Sequence, residues 1–176
     1  MLPIGLERNL FHGSLFAVKR TVYIETSVVS YYTGRPTRDL VIASRQELTR
    51  ETWPVLLDAY DCYVSALVEE EAARGDAAEA EKRIAAIQPF AGLDITPDAQ
   101  VLAARLVSGK AIPEEHPEDG LHVAIAAVNG IEVVLTWNFS HINNPFTRMM
   151  LRQVVESHGY RCPEICSPEE LLESGT

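Results

Sequence analysis

Four side chains with oxygen donors stand where proteins of alternating strands and helices place their chemistry. Glu25 closes the apolar run Thr21-Val22-Tyr23-Ile24, and Asn138 follows Thr136 at the end of Glu132-Val133-Val134-Leu135. Glu71 lies in Glu71-Ala-Ala-Arg-Gly75, on a short helical segment after a second strand, and Asp119 lies in the first turn of a helix opened by Pro117. In an open α/β sheet the site lies beyond the carboxyl ends of the strands, so all four can meet at one edge. Three carboxylates brought together repel, and one takes up a proton unless a cation relieves them. A hard divalent cation accepts such oxygen ligands readily. Each residue also has a plainer account. Glu25 suits a solvated strand end, Glu71 belongs to the charge run Glu69-Glu70-Glu71, Asp119 is an acid favoured at a helix N-terminus, and Asn138 is a good turn residue. Their joint placement is what sets them apart.

The elements that must position them read as strands and helices in alternation. Thr21 to Glu25 is β-branched and aromatic, which favours a buried strand. Thr26 and Ser27 offer caps for a brief helix through Val28, Val29, Tyr31 and Tyr32, ended by Gly34 and Pro36. A long helix follows from Arg38 to Tyr60, with Pro54 as a point of bending. Cys62 to Ser65 reads as a strand, Leu67 to Ala73 as a short helix, and Asp76 caps a helix running to Gln88. Leu93 to Thr96 reads as a third strand, and Pro97 opens a helix ending at Gly109. After Pro117, the stripe Leu121, Ala124, Ile125 and Val128 has helical spacing, and Gly130 closes it. Glu132 to Thr136 is a near-continuous apolar run expected of a parallel strand covered on both faces. Asn144-Pro145 starts a helix ending near Gly159, and Ser167-Pro-Glu-Glu170 has the pattern of a capping box before a short terminal helix. The expected fold is α/β, a three-layer α/β/α sandwich around a mostly parallel sheet of four to five strands.

Bulk properties narrow the function. The 176 residues suit one domain. Fifteen Lys and Arg face 25 Asp and Glu, a formal charge of −10, which excludes gripping nucleic acid or anionic lipid by bulk positive charge. No uninterrupted apolar run suggests a secretory leader or a membrane span. Cys62, Cys162 and Cys166 lack the paired spacing of a zinc site. Free thiols point to a reducing compartment, so a cytoplasmic location is expected.

The motifs resemble those of the PIN domain, specifically the VapC-type toxin family of small metal-dependent ribonucleases. The resemblance rests on Val22-Tyr23-Ile24-Glu25-Thr26-Ser27, on Glu71-x-x-x-Gly75 preceded by Val64-Ser65, on Asp119-Gly-Leu-His-Val-Ala-Ile-Ala-Ala and on Val-Leu-Thr136-Trp137-Asn138. It covers about Thr21 to Glu173, leaving residues 1–20 as an N-terminal extension and 21–176 as a single PIN-like domain. It implies an acidic cluster of Glu25, Glu71 and Asp119 that binds Mg²⁺ or Mn²⁺, directly or through water, for hydrolysis of RNA phosphodiesters, with Asn138 as an auxiliary catalytic group. It also implies a cognate antitoxin and a homodimer. Two residues depart from the family pattern. Glu25 replaces the usual Asp, with about 1.5 Å more reach, and Asn138 replaces an Asp that many members carry, which favours one well-held ion over two.

Four neighbours of the site and four arginines are further candidates. His122 shares a helical face with Asp119, as a supporting group or as a structural histidine. His141, Asn143 and Asn144 can touch substrate or serve turns and caps, and Arg38, Arg45, Arg74 and Arg148 can contact phosphate or remain surface charges. A haloacid-dehalogenase-like site would need Asp at position 27, where Ser stands, and a dinucleotide fold would need a glycine-rich turn after the first strand. The remaining rival is a PIN-like module that binds RNA or protein but cleaves poorly.

Overall fold

β-branched and aromatic residues open the computed structural model of the chain, which describes residues 18–174. Strand β1 (Arg20–Ile24) buries Val22, Tyr23 and Ile24 completely and passes through Glu25 into helix α1 (Thr26–Thr33). Helix α2 (Leu40–Ala59), β2 (Tyr60–Ser65), α3 (Ala66–Ala72), α4 (Ala77–Ile87) and β3 (Ala91–Leu93) follow. The second half runs α5 (Pro97–Ser108), α6 (Pro117–Val128), β4 (Val133–Leu135), α7 (Pro145–Ser157), β5 (Glu164–Cys166) and α8 (Pro168–Ser174). The sheet has the order β3-β2-β1-β4-β5, and every neighbouring pair is parallel.

Helices cover both faces, as the continuous burial of β1 requires. The main contacts join α1, α2, α3, α4 and α8 with one another, and α5, α6 and α7 with one another. This is the expected three-layer α/β/α sandwich, with all five strands parallel. Buried side chains from both layers and the sheet form one core, from Val22 and Val28 through Leu102, Ile125 and Leu151 to Leu171. Among the described residues, no helix is long and apolar enough to cross a membrane.

The boundaries correct the sequence reading at three points. The third strand is Ala91–Leu93 rather than Leu93 to Thr96, because Thr96 caps α5, its Oγ1 accepting Ala99 N at 3.2 Å. The short strand Glu164–Cys166 has no counterpart in the sequence reading; its three residues lie between Pro163 and the Ser167 cap and pair with β4. The cap of α1 is Glu25 itself, not Thr26 or Ser27. The capping box at 167–170 forms as read, with Ser167 Oγ accepting Glu170 N at 3.2 Å and Glu170 Oε2 accepting Ser167 N at 2.8 Å. The predicted extension at 1–20 falls mostly on residues 1–17, outside the described residues; the strand begins at Arg20.

Candidate metal centre

The chain leaves β1 for β2 and β3 on one side and returns to β4 and β5 on the other. The order therefore reverses between β1 and β4, and sheets of this kind form a crevice at that point. All four candidates lie around it. Glu25 is the first residue beyond β1, Glu71 is on α3 after β2, Asp119 is in the first turn of α6, and Asn138 is in the loop after β4.

Glu25 is buried, and both its oxygens are held. Oε1 accepts Ser27 N at 3.0 Å, capping α1, while Oε2 accepts the Ser27 and Thr136 hydroxyls, the latter at 2.6 Å. Further bonds join the same two chain segments. Glu25 N donates to Leu135 O at 3.0 Å, Trp137 N to Ser27 Oγ at 2.9 Å, and Asn138 N to Thr136 Oγ1 at 2.9 Å. The crevice floor is thus stitched across β1 and β4 by side chains as well as by backbone.

Glu71 ends a buried chain of hydrogen bonds. Its Oε2 accepts the Thr26 hydroxyl and lies 3.1 Å from His122 Nε2; His122 Nδ1 lies 2.8 Å from Tyr23 Oη, which lies 2.7 Å from Ser65 Oγ. With His122 neutral, donation runs from Ser65 to Tyr23 to His122 to Glu71; with it charged, His122 donates to both Tyr23 and Glu71 and Tyr23 donates to Ser65, whose Oγ also accepts Val68 N to cap α3. Burial alone raises the Glu71 carboxyl, but the His122 bond and charge, with Thr26 and Arg74, bring it below its ordinary range. Burial works against a charged His122, yet the Glu71 bond and the charges of Glu25, Glu71 and Asp119 lift it above the usual imidazole range. Burial holds the Tyr23 phenol well above its ordinary range, so it stays protonated. His122 was placed beside Asp119 by helical spacing; its ring instead turns to Glu71.

Asp119 has a different neighbourhood. Asn138 Nδ2 donates to Oδ1 at 2.9 Å, and His141 Nδ1 lies 2.8 Å from Oδ2. Asn138 Oδ1 accepts His141 N at 3.0 Å, so the amide turns its nitrogen, not its oxygen, toward the acid. His116 stacks on His141 with ring centres 4.2 Å apart. Burial pushes the Asp119 carboxyl up; His141 and Asn138 pull it down, and the Glu25 charge adds to the rise, which prevails.

Among the described residues, two sets of three donors have ligand atoms within 4.8 Å of one another: Glu25, Glu71 and His122, and His116, Asp119 and His141. The edge thus brings the predicted acids together as two adjoining groups, Glu25 with Glu71 and Asp119 beside them. No Lys or Arg forms an ion pair with any of the three acids among the described residues. Oxygen donors held by imidazoles, an amide and hydroxyls, with no Lys or Arg ion-paired to them, fit a divalent cation. Sequence reasoning passed over His116, whose i, i+3 spacing to Asp119 was the available signal, and the hydroxyls of Thr26, Ser27 and Thr136. Asn144 proves a cap, accepting Thr147 N at 2.9 Å. Arg45 lies over the rings of Tyr31, Trp137 and Phe139, Arg74 pairs with Glu70, and Arg148 bonds Ile165 O and Glu170.

No family model and no curated protein matches the sequence. The fold is similar to that of a chain in the crystal structure of VapBC2 from Rickettsia felis bound to a DNA fragment from their promoter, with a TM-score of 0.53 at 10% identity. The match covers 84% of this chain and 98% of that one. At this identity the likeness is one of fold.

Proposed function

We propose that this chain is a divalent-metal-dependent ribonuclease of the PIN type that hydrolyses RNA phosphodiesters as the toxin of a toxin–antitoxin pair. The observation that carries the proposal is the gathering of Glu25, Glu71 and Asp119 at the point where strand order reverses, with no Lys or Arg ion-paired to them among the described residues. The fold shared with VapBC2 supports it. Glu25, Glu71 and Asp119 would hold Mg²⁺ or Mn²⁺. When bound, such an ion supplies positive charge to the phosphodiester and a water made more acidic.

The protein's part is positioning. Asn138 and His141 fix both oxygens of Asp119, and His122 and Thr26 fix Oε2 of Glu71. Among the described residues, Glu71 Oε1 takes no hydrogen bond and is the freest carboxylate oxygen of the three. A cognate antitoxin, a homodimer and a cytoplasmic location belong to the same proposal. The three unpaired thiols suit a reducing compartment.

One observation favours a second reading, a PIN-like module that binds RNA or protein but cleaves poorly: both oxygens of Glu25 are already taken by Ser27 and Thr136. Cleavage of an RNA panel with Mg²⁺ or Mn²⁺ separates the two. The wild-type protein is expected to cleave, to stop on chelation, and to lose at least the roughly 10–100-fold that removal of a supporting group costs a metal site when Asp119→Asn is introduced. Equal cleavage by both proteins overturns the metal role of Asp119. Binding without cleavage by either favours the second reading.

A further inference from the structure

We infer that His116, Asp119 and His141 form a metal site of their own, suited to a nitrogen-favouring transition ion such as Co²⁺, Ni²⁺ or Zn²⁺ rather than to Mg²⁺. The donor set decides the class. Two imidazoles and one carboxylate match the borderline ions, whereas Mg²⁺ prefers oxygen and retains water. An ion bonded at about 2.0–2.1 Å to such donors holds them roughly 3–3.5 Å apart. His141 Nδ1 and Asp119 Oδ2 already stand at 2.8 Å, and all three ligand atoms lie within 4.8 Å of one another. The donors are therefore gathered without an ion, and His116, the most exposed of the three, is the one that must turn its ring to share it.

Its surroundings are those of a supported ligand set. Asn138 holds the other oxygen of Asp119, and its own oxygen is fixed by His141 N, the outer hydrogen bonding that orients metal ligands. His116 stands at the N-cap position of α6 with no side-chain capping bond; its ring stacks on His141, and its Nδ1 lies 3.6 Å from Glu118 Oε1. Exposure rises outward across the set, from 11% for the Asp119 side chain to 28% for His141 and 44% for His116. Three protein donors with a side open to solvent leave coordination positions for water or a substrate group. The inference stands on these side chains and not on the nuclease reading, although sharing Asp119 ties the two sites together.

Titration of the full chain with Co²⁺, followed by its visible absorption without RNA, tests the site. One Co²⁺ per chain is expected, retained against about a hundredfold excess of Mg²⁺. His116→Gln and His141→Gln are each expected to weaken binding by about tenfold or more, while the distant His158→Gln leaves it unchanged; Glu71→Gln is titrated beside them. Circular dichroism checks that the variants fold. In the wild-type protein, Co²⁺ should also shift or broaden the imidazole NMR signals of His116 and His141 and spare that of His158. Affinity unchanged in both histidine variants, affinity lost only in Glu71→Gln, or ready displacement by Mg²⁺ overturns the inference. Co²⁺ bound as expected with RNA left intact defeats the nuclease proposal alone; RNA cleaved with Co²⁺ indifferent to the histidines defeats this one alone.

Discussion

Asp119 and Glu71 pull the stability of the apoprotein in opposite directions with pH. The Asp119 carboxyl is raised in the folded protein, chiefly by burial, so folding is penalised once the pH passes the ordinary carboxylate range and the group must ionise. Glu71 is lowered; its contribution is present above that range and is lost as the pH falls through its folded value. Without metal, Asp119→Asn should therefore be more stable than wild type at pH 7 and equal to it near pH 3, where both are neutral. Saturating Mn²⁺ should reverse the order at pH 7, because only the wild type gains binding energy, about 2.7 kcal/mol at a hundred times the Kd. Thermal melts with and without metal check both statements. Thr136→Val removes a buried donor to Glu25 and the acceptor of Asn138 N, and is expected to destabilise by about 1–3 kcal/mol in urea unfolding.

Capping explains much of what could be read at the level of elements. Asp76 and Asn144 stand one residue before their helices and accept first-turn N–H groups, which is why the starts of α4 and α7 were legible, whereas Asp39 and Thr96 cap α2 and α5 at positions read as helix and as strand. Strands β3 and β5 were less so, because Ala91-Gly92-Leu93 and Glu164-Ile165-Cys166 lack the run of β-branched residues that marks the equally short β4. The acids were legible from their positions at element ends. The orientation of His122 and the pairing of His141 with Asp119 were not, since both depend on which strands lie side by side. Two glycines give element-scale tests. A Cβ at Gly120, inside α6, meets Ile112 Cγ1 at 3.5 Å and Ala103 O at 3.6 Å, ordinary contact distances, so Gly120→Ala should stabilise by about 0.5–1 kcal/mol. At Gly34, where α1 ends, a Cβ lies 2.9 Å from Ser30 O and 2.7 Å from Gln46 Nε2, and Gly34→Ala should destabilise by about 1–3 kcal/mol. Denaturant titrations decide both signs.

For the whole molecule the charge of −10 acquires a narrower meaning. It opposes RNA at long range, and several arginines are engaged within the fold: Arg35 with Asp76 and Glu79, Arg74 with Glu70, Arg152 with Glu156 and Glu164. With acids in excess over bases, the logarithm of RNA affinity should fall with the logarithm of salt concentration at a slope shallower than about −2, as read by binding at several salt levels. A steep slope would place a basic interface somewhere other than this crevice. The stitched floor between β1 and β4 has a separate consequence, in time rather than in charge. The amides of Glu25, Trp137 and Asn138 are locked into bonds to Leu135 O, Ser27 Oγ and Thr136 Oγ1, while His116 and His141 sit on the more exposed rim. Floor amides should exchange with deuterium only when the sheet opens, and rim amides through local fluctuation. The crevice then runs on two clocks, with a slow base that preserves the acid geometry and a fast lip that admits and releases whatever binds there.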